Sequence, residues 1–117
     1  MHFAISATWG PTDPTRAALP FIFAASALQA GDTVTLMLFH DAVHVATKGT
    51  AQKLVPVGPP ARFEEVLSHA SAKVLACKPC AEVRTIAEGD LDKRVAMAGM
   101  NEFHAAAARQ DARVVCF

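Results

Sequence analysis

Charge is scarce in this sequence and evenly split. Charged residues make up 19% of the 117, with 11 basic against 11 acidic, so the formal net charge is zero. That balance removes the electrostatic attraction on which nucleic-acid and anionic-membrane binding usually depend, and neither partner is expected. No run approaches the roughly 20 apolar residues of a membrane span. The start, Met1-His2-Phe3-Ala4-Ile5, lacks the basic region of a signal peptide, so a cytoplasmic location is expected. Glycine-rich phosphate loops are missing as well. The stretch Gly10-Pro11-Thr12-Asp13 has one glycine where close backbone approach to a pyrophosphate needs several, and no nucleotide, flavin or other cofactor is expected. Cysteine occurs only three times, an odd number, and two of the three lie three positions apart. This suits a reducing compartment and a functional thiol better than a disulfide framework.

What is present is apolar: 52% of the residues are hydrophobic, too many for a disordered chain. A chain of this length is expected to form one domain, residues 1–117, that buries roughly two thirds of its unfolded surface. High apolar content with little charge repulsion favours self-association, so a homo-oligomer is expected.

Residues 3–8 alternate as a strand and stop at Trp9-Gly10-Pro11. Asp13 reads as an N-cap with Pro14 at the first helical position. Phe21, Ala24, Ala25 and Leu28 recur at helical spacing, and Gly31 ends the helix as its cap. Pro20 inside it is expected to kink the helix or disorder its first turn. Residues 33–39 read as a strand buried on both faces, closed by His40-Asp41. A short helical segment over 42–49 precedes the stiff connector Val55-Pro56-Val57-Gly58-Pro59-Pro60. Phe63, Val66, Leu67 and Ala70 mark a further helix. Residues 73–76 form the third strand, followed by a helix from Pro79 that carries Val83 and Ile86 inward until Gly89. Residues 95–100 are a weaker strand, Asn101 caps a last helix through Arg109, and 113–116 close the chain as a fifth strand.

Strands alternating with helices predict an α/β fold: a single-domain three-layer sandwich, with a mostly parallel five-stranded sheet and helices on both faces. In such sheets ligands gather at the carboxyl ends of the strands. That edge is expected to collect Trp9, Asp13, His40, His44, Cys77, Cys80, Asn101 and Cys116. Among them Cys77 and Cys80 stand out, because a strand that hands over to a helix places thiols near unpaired N–H groups and the positive end of a dipole. Lys78 adds a cation, and Pro79 suits the first helical turn. Together these features predict a lowered thiol pKa and a more abundant thiolate, the reactive form. His40 and His44 are candidates to deprotonate Cys77 or to orient a substrate, or else ordinary loop histidines. Cys116 reads more readily as a small buried hydrophobe, and His2, His69 and His104 as surface or interface residues.

The chain resembles the DsrE/DsrF family, also called the YchN-like fold, which includes subunits of bacterial sulfur relays. The likeness rests on Gly10-Pro11-Thr12-Asp13-Pro14-Thr15-Arg16-Ala17, Ala30-Gly31-Asp32-Thr33-Val34 and Asp41-Ala42-Val43-His44-Val45-Ala46. The cysteine run with Glu82-Val83-Arg84-Thr85-Ile86 and the ending Asp111-Ala112-Arg113-Val114-Val115-Cys116-Phe117 extend it over essentially the whole chain. The resemblance implies a trimer or hexamer, with a sulfur-accepting cysteine at the end of the strand before the third long helix. That position falls on Cys77, with Cys80 following. It implies a sulfur carrier or sulfurtransferase that takes sulfane sulfur from a donor protein as a persulfide on Cys77 and hands it to an acceptor. Cys80 would resolve that persulfide or tune its neighbour. The alternatives are a noncatalytic homo-oligomeric assembly module with packed cysteines, a dithiol redox pair, and a metal site completed by Cys116 and His40 or His44. That last needs three or four converging ligands where only one cysteine pair is local, so no metal is expected.

Overall fold

Every strand of the sheet is parallel to its neighbours. The computed structural model describes residues 1–58 and 61–117, and Pro59-Pro60 of the expected connector lie outside them. The strands β1 (His2–Ala7), β2 (Thr33–Leu38), β3 (Ala72–Cys77), β4 (Val95–Ala98) and β5 (Ala112–Cys116) run in the order β4-β3-β2-β1-β5. The helices are α1 (Pro14–Gln29), α2 (Thr50–Lys53), α3 (Phe63–Leu67), α4 (Lys78–Glu82) and α5 (Met100–Ala107), with 3-10 helices at His40–Ala46 and Glu88–Asp90.

This order decides the layers. Steps from β1 through β4 all move one way across the sheet, whereas the step from β4 to β5 returns past the other three strands. Right-handed crossovers then put α1 and α3 on one face and α5 on the other. Packing agrees: Phe23 of α1 meets Phe3 of β1 with ring centroids 5.3 Å apart, and Phe21 of α1 meets Phe63 of α3 at 4.8 Å. Ile5, Val34, Leu36 and Val66 are fully buried between these layers. The α5 face is thinner, with Ala106 the one buried residue of that helix.

The helix α1 starts where the sequence says it should. Asp13 Oδ1 accepts the Arg16 N–H at 3.1 Å and Pro14 occupies the first turn. Pro20 does not interrupt it: the helix is continuous from Pro14 to Gln29, and the buried Pro20 ring supplies apolar surface to the core. The cap residue is Ala30 and not Gly31. Gly31 follows it at φ +90°, and the Gly31 and Asp32 N–H groups bond back to the Leu28 and Ala27 carbonyls, which closes the helix in a Schellman motif.

The second half departs more from expectation. The segment after β2 is a 3-10 helix from His40 to Ala46 rather than a helix over 42–49. The helix α3 stops at Leu67, which leaves Ala70 exposed. The helix α4 is a single turn, Thr85 adopts φ +56°, and Val83 stands 78% exposed while Ile86 alone turns inward. The last helix begins at Met100 with Gly99 as its cap, not Asn101, because the Glu102 carboxylate reaches back 2.8 Å to the Gly99 N–H. His2 is buried and not on the surface. Its two ring nitrogens lie 2.7 and 2.9 Å from the Thr33 and Thr35 hydroxyls, and burial, with a smaller contribution from Arg109, holds its pKa below the usual imidazole value.

Candidate functional site

The connection leaving β3 stays on the α1 face, whereas β4 exits through α5 to the opposite face. Neighbouring strands whose continuations diverge leave a crevice at their carboxyl ends. Cys77 is the last residue of β3, in register with Ala98 of β4, so the cysteine pair stands at the carboxyl ends of these two strands. Cys77 also caps α4, and Cys80 is the third residue of the helix. Residues at the cap and third positions of a helix face each other, the spacing that lets a cap side chain meet its third-residue partner. The two thiols are therefore neighbours across the first turn of α4.

Their environments differ. Cys77 is 7% exposed, whereas Cys80 is partly open to solvent. Burial is the main reason the Cys77 thiol sits above its ordinary pKa, with the neighbouring Cys80 thiol adding to it and Arg84 opposing it. The expected lowering is therefore reversed at Cys77. Burial outweighs what the helix start offers, since α4 has only five residues, too short for the dipole of a long helix, and exposed Lys78 forms no ion pair among the described residues.

Cys80 is held from outside its own helix. The His40 N–H donates to Cys80 Sγ at 3.2 Å, an aim made possible by the left-handed φ of +53° at His40. Arg84, one turn after Cys80, donates through Nη1 to the Cys80 carbonyl at 3.0 Å. It also sends Nε and Nη2 to Asp41 Oδ1 at 3.1 and 2.8 Å. Those bonds hold the Asp41 carboxyl below the usual carboxylate range, with His40 and His44 contributing less. Asp41 is fixed on its other side by Gly10. A Cβ built on Gly10 would stand 2.3 Å from the Asp41 carbonyl oxygen, so only glycine admits this approach. Gly10, Asp41, Arg84 and Cys80 thus form one chain of contacts that ties the end of β1 to the 3-10 helix and to α4.

The other expected site residues divide. His40 reaches the pair through its backbone, while its exposed imidazole lies 3.6 Å from Asp41 Oδ2 and not against a sulfur. His44 is half-buried one turn further along the 3-10 helix, and its imidazole makes no hydrogen bond among the described residues. Asp13 is occupied as the cap of α1, and Asn101 is exposed at the start of α5. Trp9 carries the Arg16 guanidinium 4.6 Å above its ring and lines, with Thr8, His40 and Asp41, a pocket of about 380 Å³. Cys116 does not join the pair. It ends β5, three strand spacings from β3, or about 14 Å across the sheet. The three-thiol convergence and the metal set that depended on it are therefore not assembled within the chain. Among the described residues there is no group of three or more His, Cys, Asp or Glu side chains placed to hold a metal ion. A larger cavity of about 620 Å³ lies at the amino ends of β2 and β3 beside α5; of its polar lining, His2 is paired with Thr33 and Thr35 and Arg109 with Asp111.

A model of the DsrE/DsrF-like family matches residues 1–117. The chain belongs to that family. Its relatives include the uncharacterized protein MJ0989 of Methanocaldococcus jannaschii, 32% identical with both chains covered completely. The uncharacterized protein MK0008 of Methanopyrus kandleri is 32% identical over 79% of this chain and 74% of its own. Among solved structures the ychN protein from E. coli superposes with a TM-score of 0.77 at 22% identity, covering 99% of this chain and 97% of that one. MTH1491 of Methanobacterium thermoautotrophicum, a protein of unknown function, superposes with a TM-score of 0.70 at 13% identity, covering 99% and 96%. At these identities the two structures establish the DsrE-type α/β fold. Among the described residues no helix is long and apolar enough to cross a membrane.

Sequence reasoning missed Gly10, Asp41 and Arg84 as supports of the cysteine pair. A glycine before a proline reads as a turn, and the Asp41 to Arg84 bond spans 43 positions, beyond any local pattern.

Proposed function

We propose that this protein carries sulfane sulfur as a persulfide on the Cys77 and Cys80 pair and passes it to an acceptor thiol. The observation that carries this reading is the partly exposed Cys80 sulfur, held by the His40 N–H beyond the carboxyl end of β3, with a second, buried thiol one helical turn before it. Membership of the DsrE/DsrF-like family, with its sulfur-relay subunits, supports the same chemistry. In the loading step the Cys80 sulfur attacks the outer sulfur of a donor persulfide, the donor S–S bond breaks, and the donor leaves as its thiolate. No electrons are gained or lost by the pair of proteins. The resemblance alone implies entry at Cys77. Its burial and raised pKa favour Cys80 as the first acceptor.

The test is intact mass spectrometry after incubation with a persulfide-loaded cysteine desulfurase. The reduced chain is expected to gain the mass of one sulfur, which dithiothreitol then removes. A folded, reduced protein that gains nothing would sink the carrier reading.

A noncatalytic assembly module is the second reading, and exposed apolar residues favour it. Val83 and Met100 are 78% and 62% exposed at the carboxyl edge, and Val114 is 49% exposed on the edge strand β5. Both readings call for self-association, because a lone chain rarely leaves such groups in water. Light scattering on the purified protein is expected to give the mass of a homo-oligomer, a trimer or hexamer. A mass equal to one chain would remove the assembly module and the oligomer together. Iodoacetamide then separates the readings, since a carrier should label selectively at the site cysteines and a module should label sluggishly at both.

A further inference from the structure

We propose that the pocket of Thr8, Trp9, His40 and Asp41 binds a small sulfur donor, the persulfide of an amine-bearing thiol, and presents it to Cys80. This rests on the carrier reading and names the donor that the same site accepts.

Position is the first support. The pocket opens at the carboxyl ends of β1 and β2, and two of its four lining residues also hold Cys80. His40 donates its N–H to Cys80 Sγ at 3.2 Å, and Asp41 anchors the Arg84 guanidinium that reaches the Cys80 carbonyl. A molecule seated there touches the residue that touches the sulfur. The volume, about 380 Å³, falls within the roughly 300–1,000 Å³ of small-molecule sites.

Charge decides the class of molecule. Arg84 places both of its bonds to Asp41 on Oδ1, at 3.1 and 2.8 Å, which leaves Oδ2 without a hydrogen bond among the described residues. His40 Nδ1 stands off from that oxygen at 3.6 Å. The same Arg84 bonds keep the carboxyl ionised, and no lysine or arginine among the described residues lines the pocket. Trp9 adds an aromatic ring, whose face attracts cations; the Arg16 guanidinium already rests 4.6 Å from its centroid. A carboxylate oxygen lacking a donor, beside an indole, is matched by an ammonium group.

In the loading step that ammonium pairs with Asp41 Oδ2 and the persulfide arm extends past His40. Cys80 Sγ releases its proton to solvent and attacks the outer sulfur of the donor. A Cys80 Sγ–S bond forms, the donor S–S bond breaks, and its electron pair leaves on the inner sulfur as the donor's thiolate. Nothing is oxidised or reduced overall.

Two measurements test this. Trp9 is the one tryptophan of the chain, so its emission reports occupancy of the pocket. Titration with 2-(methylthio)ethylamine, which has no thiol to react, is expected to change that emission saturably, whereas 3-(methylthio)propionate should not. The persulfides of cysteamine and of 3-mercaptopropionate are then compared as donors by intact mass, each rate corrected for that donor's reactivity with a free small thiol. Cysteamine persulfide is expected to load the wild type faster by on the order of fivefold. In Asp41→Asn and Trp9→Leu, each shown by circular dichroism to be folded, that ratio should fall toward one, whereas a merely loosened site would slow both donors alike. Equal corrected rates in the wild type, a ratio unchanged in both variants, or emission that responds to neither compound or to both equally would each overturn the proposal. A wild type that still loads from a charged cysteine desulfurase would then keep the carrier reading. If that protein donor and both small donors all fail to add sulfur, the carrier reading itself fails and the donor site falls with it.

Discussion

Cys80→Ser is expected to slow the gain of sulfur from a charged donor by roughly tenfold or more, while Cys77→Ser loads at close to the wild-type rate. The asymmetry follows from where the two sulfurs sit. A donor persulfide is carried on another protein or a small thiol, and its outer sulfur must come within bonding distance of the attacking thiolate. Cys80 offers that approach at the surface of α4, braced by the His40 N–H and by the tether from Arg84 to Asp41. Cys77 offers less on two counts, being 7% exposed and having a thiol whose burial disfavours the attacking anion. With serine at position 80 the donor has to reach Cys77 directly. The measurement is the rate at which the mass of one sulfur appears on each variant, with both variants shown to melt as the wild type does. A Cys80→Ser chain that loads normally beside an inert Cys77→Ser chain would reverse the assignment and restore direct entry at Cys77.

Much of this arrangement was legible in the amino-acid sequence, and the parts that were not share a cause. Apart from the kink expected at Pro20 and the one-residue shift of the cap to Ala30, the run from β1 to β2 reads correctly because its signals are local: Asp13-Pro14 starts α1, and the left-handed backbone at Gly31 follows its end. The apolar runs of β2 and β3 read correctly because a parallel strand is buried on both faces. The helix after Pro79 was overextended, since Val83 and Ile86 stand at a plausible helical spacing. What ends that helix is the demand of Asp41 on the Arg84 guanidinium and the left-handed turn at Thr85, neither of which has a periodic signature. The same limit explains Cys116. Alternation of strands and helices predicts a parallel sheet, but not that β5 lies beside β1, far from β3. The cysteine pair was legible because its members are neighbours in the chain. Gly10, Asp41 and Arg84, which hold it, are neighbours only in space.

Gly10→Ala is expected to be the most disruptive single-methyl change near the site. The added Cβ would meet the Asp41 carbonyl oxygen at 2.3 Å and its carbonyl carbon at 2.9 Å, and both atoms belong to backbone that has no rotamer to change. Relief requires the end of β1 or the start of the 3-10 helix to move. Overpacking of this kind costs about 1–3 kcal/mol. For a domain near this size each kcal/mol lowers the melting temperature by roughly 4–8 °C. Gly89→Ala is the control, because nothing lies within 4 Å of a Cβ there and its φ is not left-handed. Thermal melts of the two variants should therefore separate clearly, with Gly89→Ala close to the wild type, and coincident melts would show that the Gly10 approach is not tight. The damage should also reach the chemistry. Asp41 displaced from Gly10 loosens its hold on Arg84, and His40, the next residue back, loses the aim of its N–H at Cys80. Well below its lowered melting temperature, the Gly10→Ala protein is expected to load sulfur more slowly than the wild type. Normal loading would show instead that Cys80 keeps its position without the strap from β1.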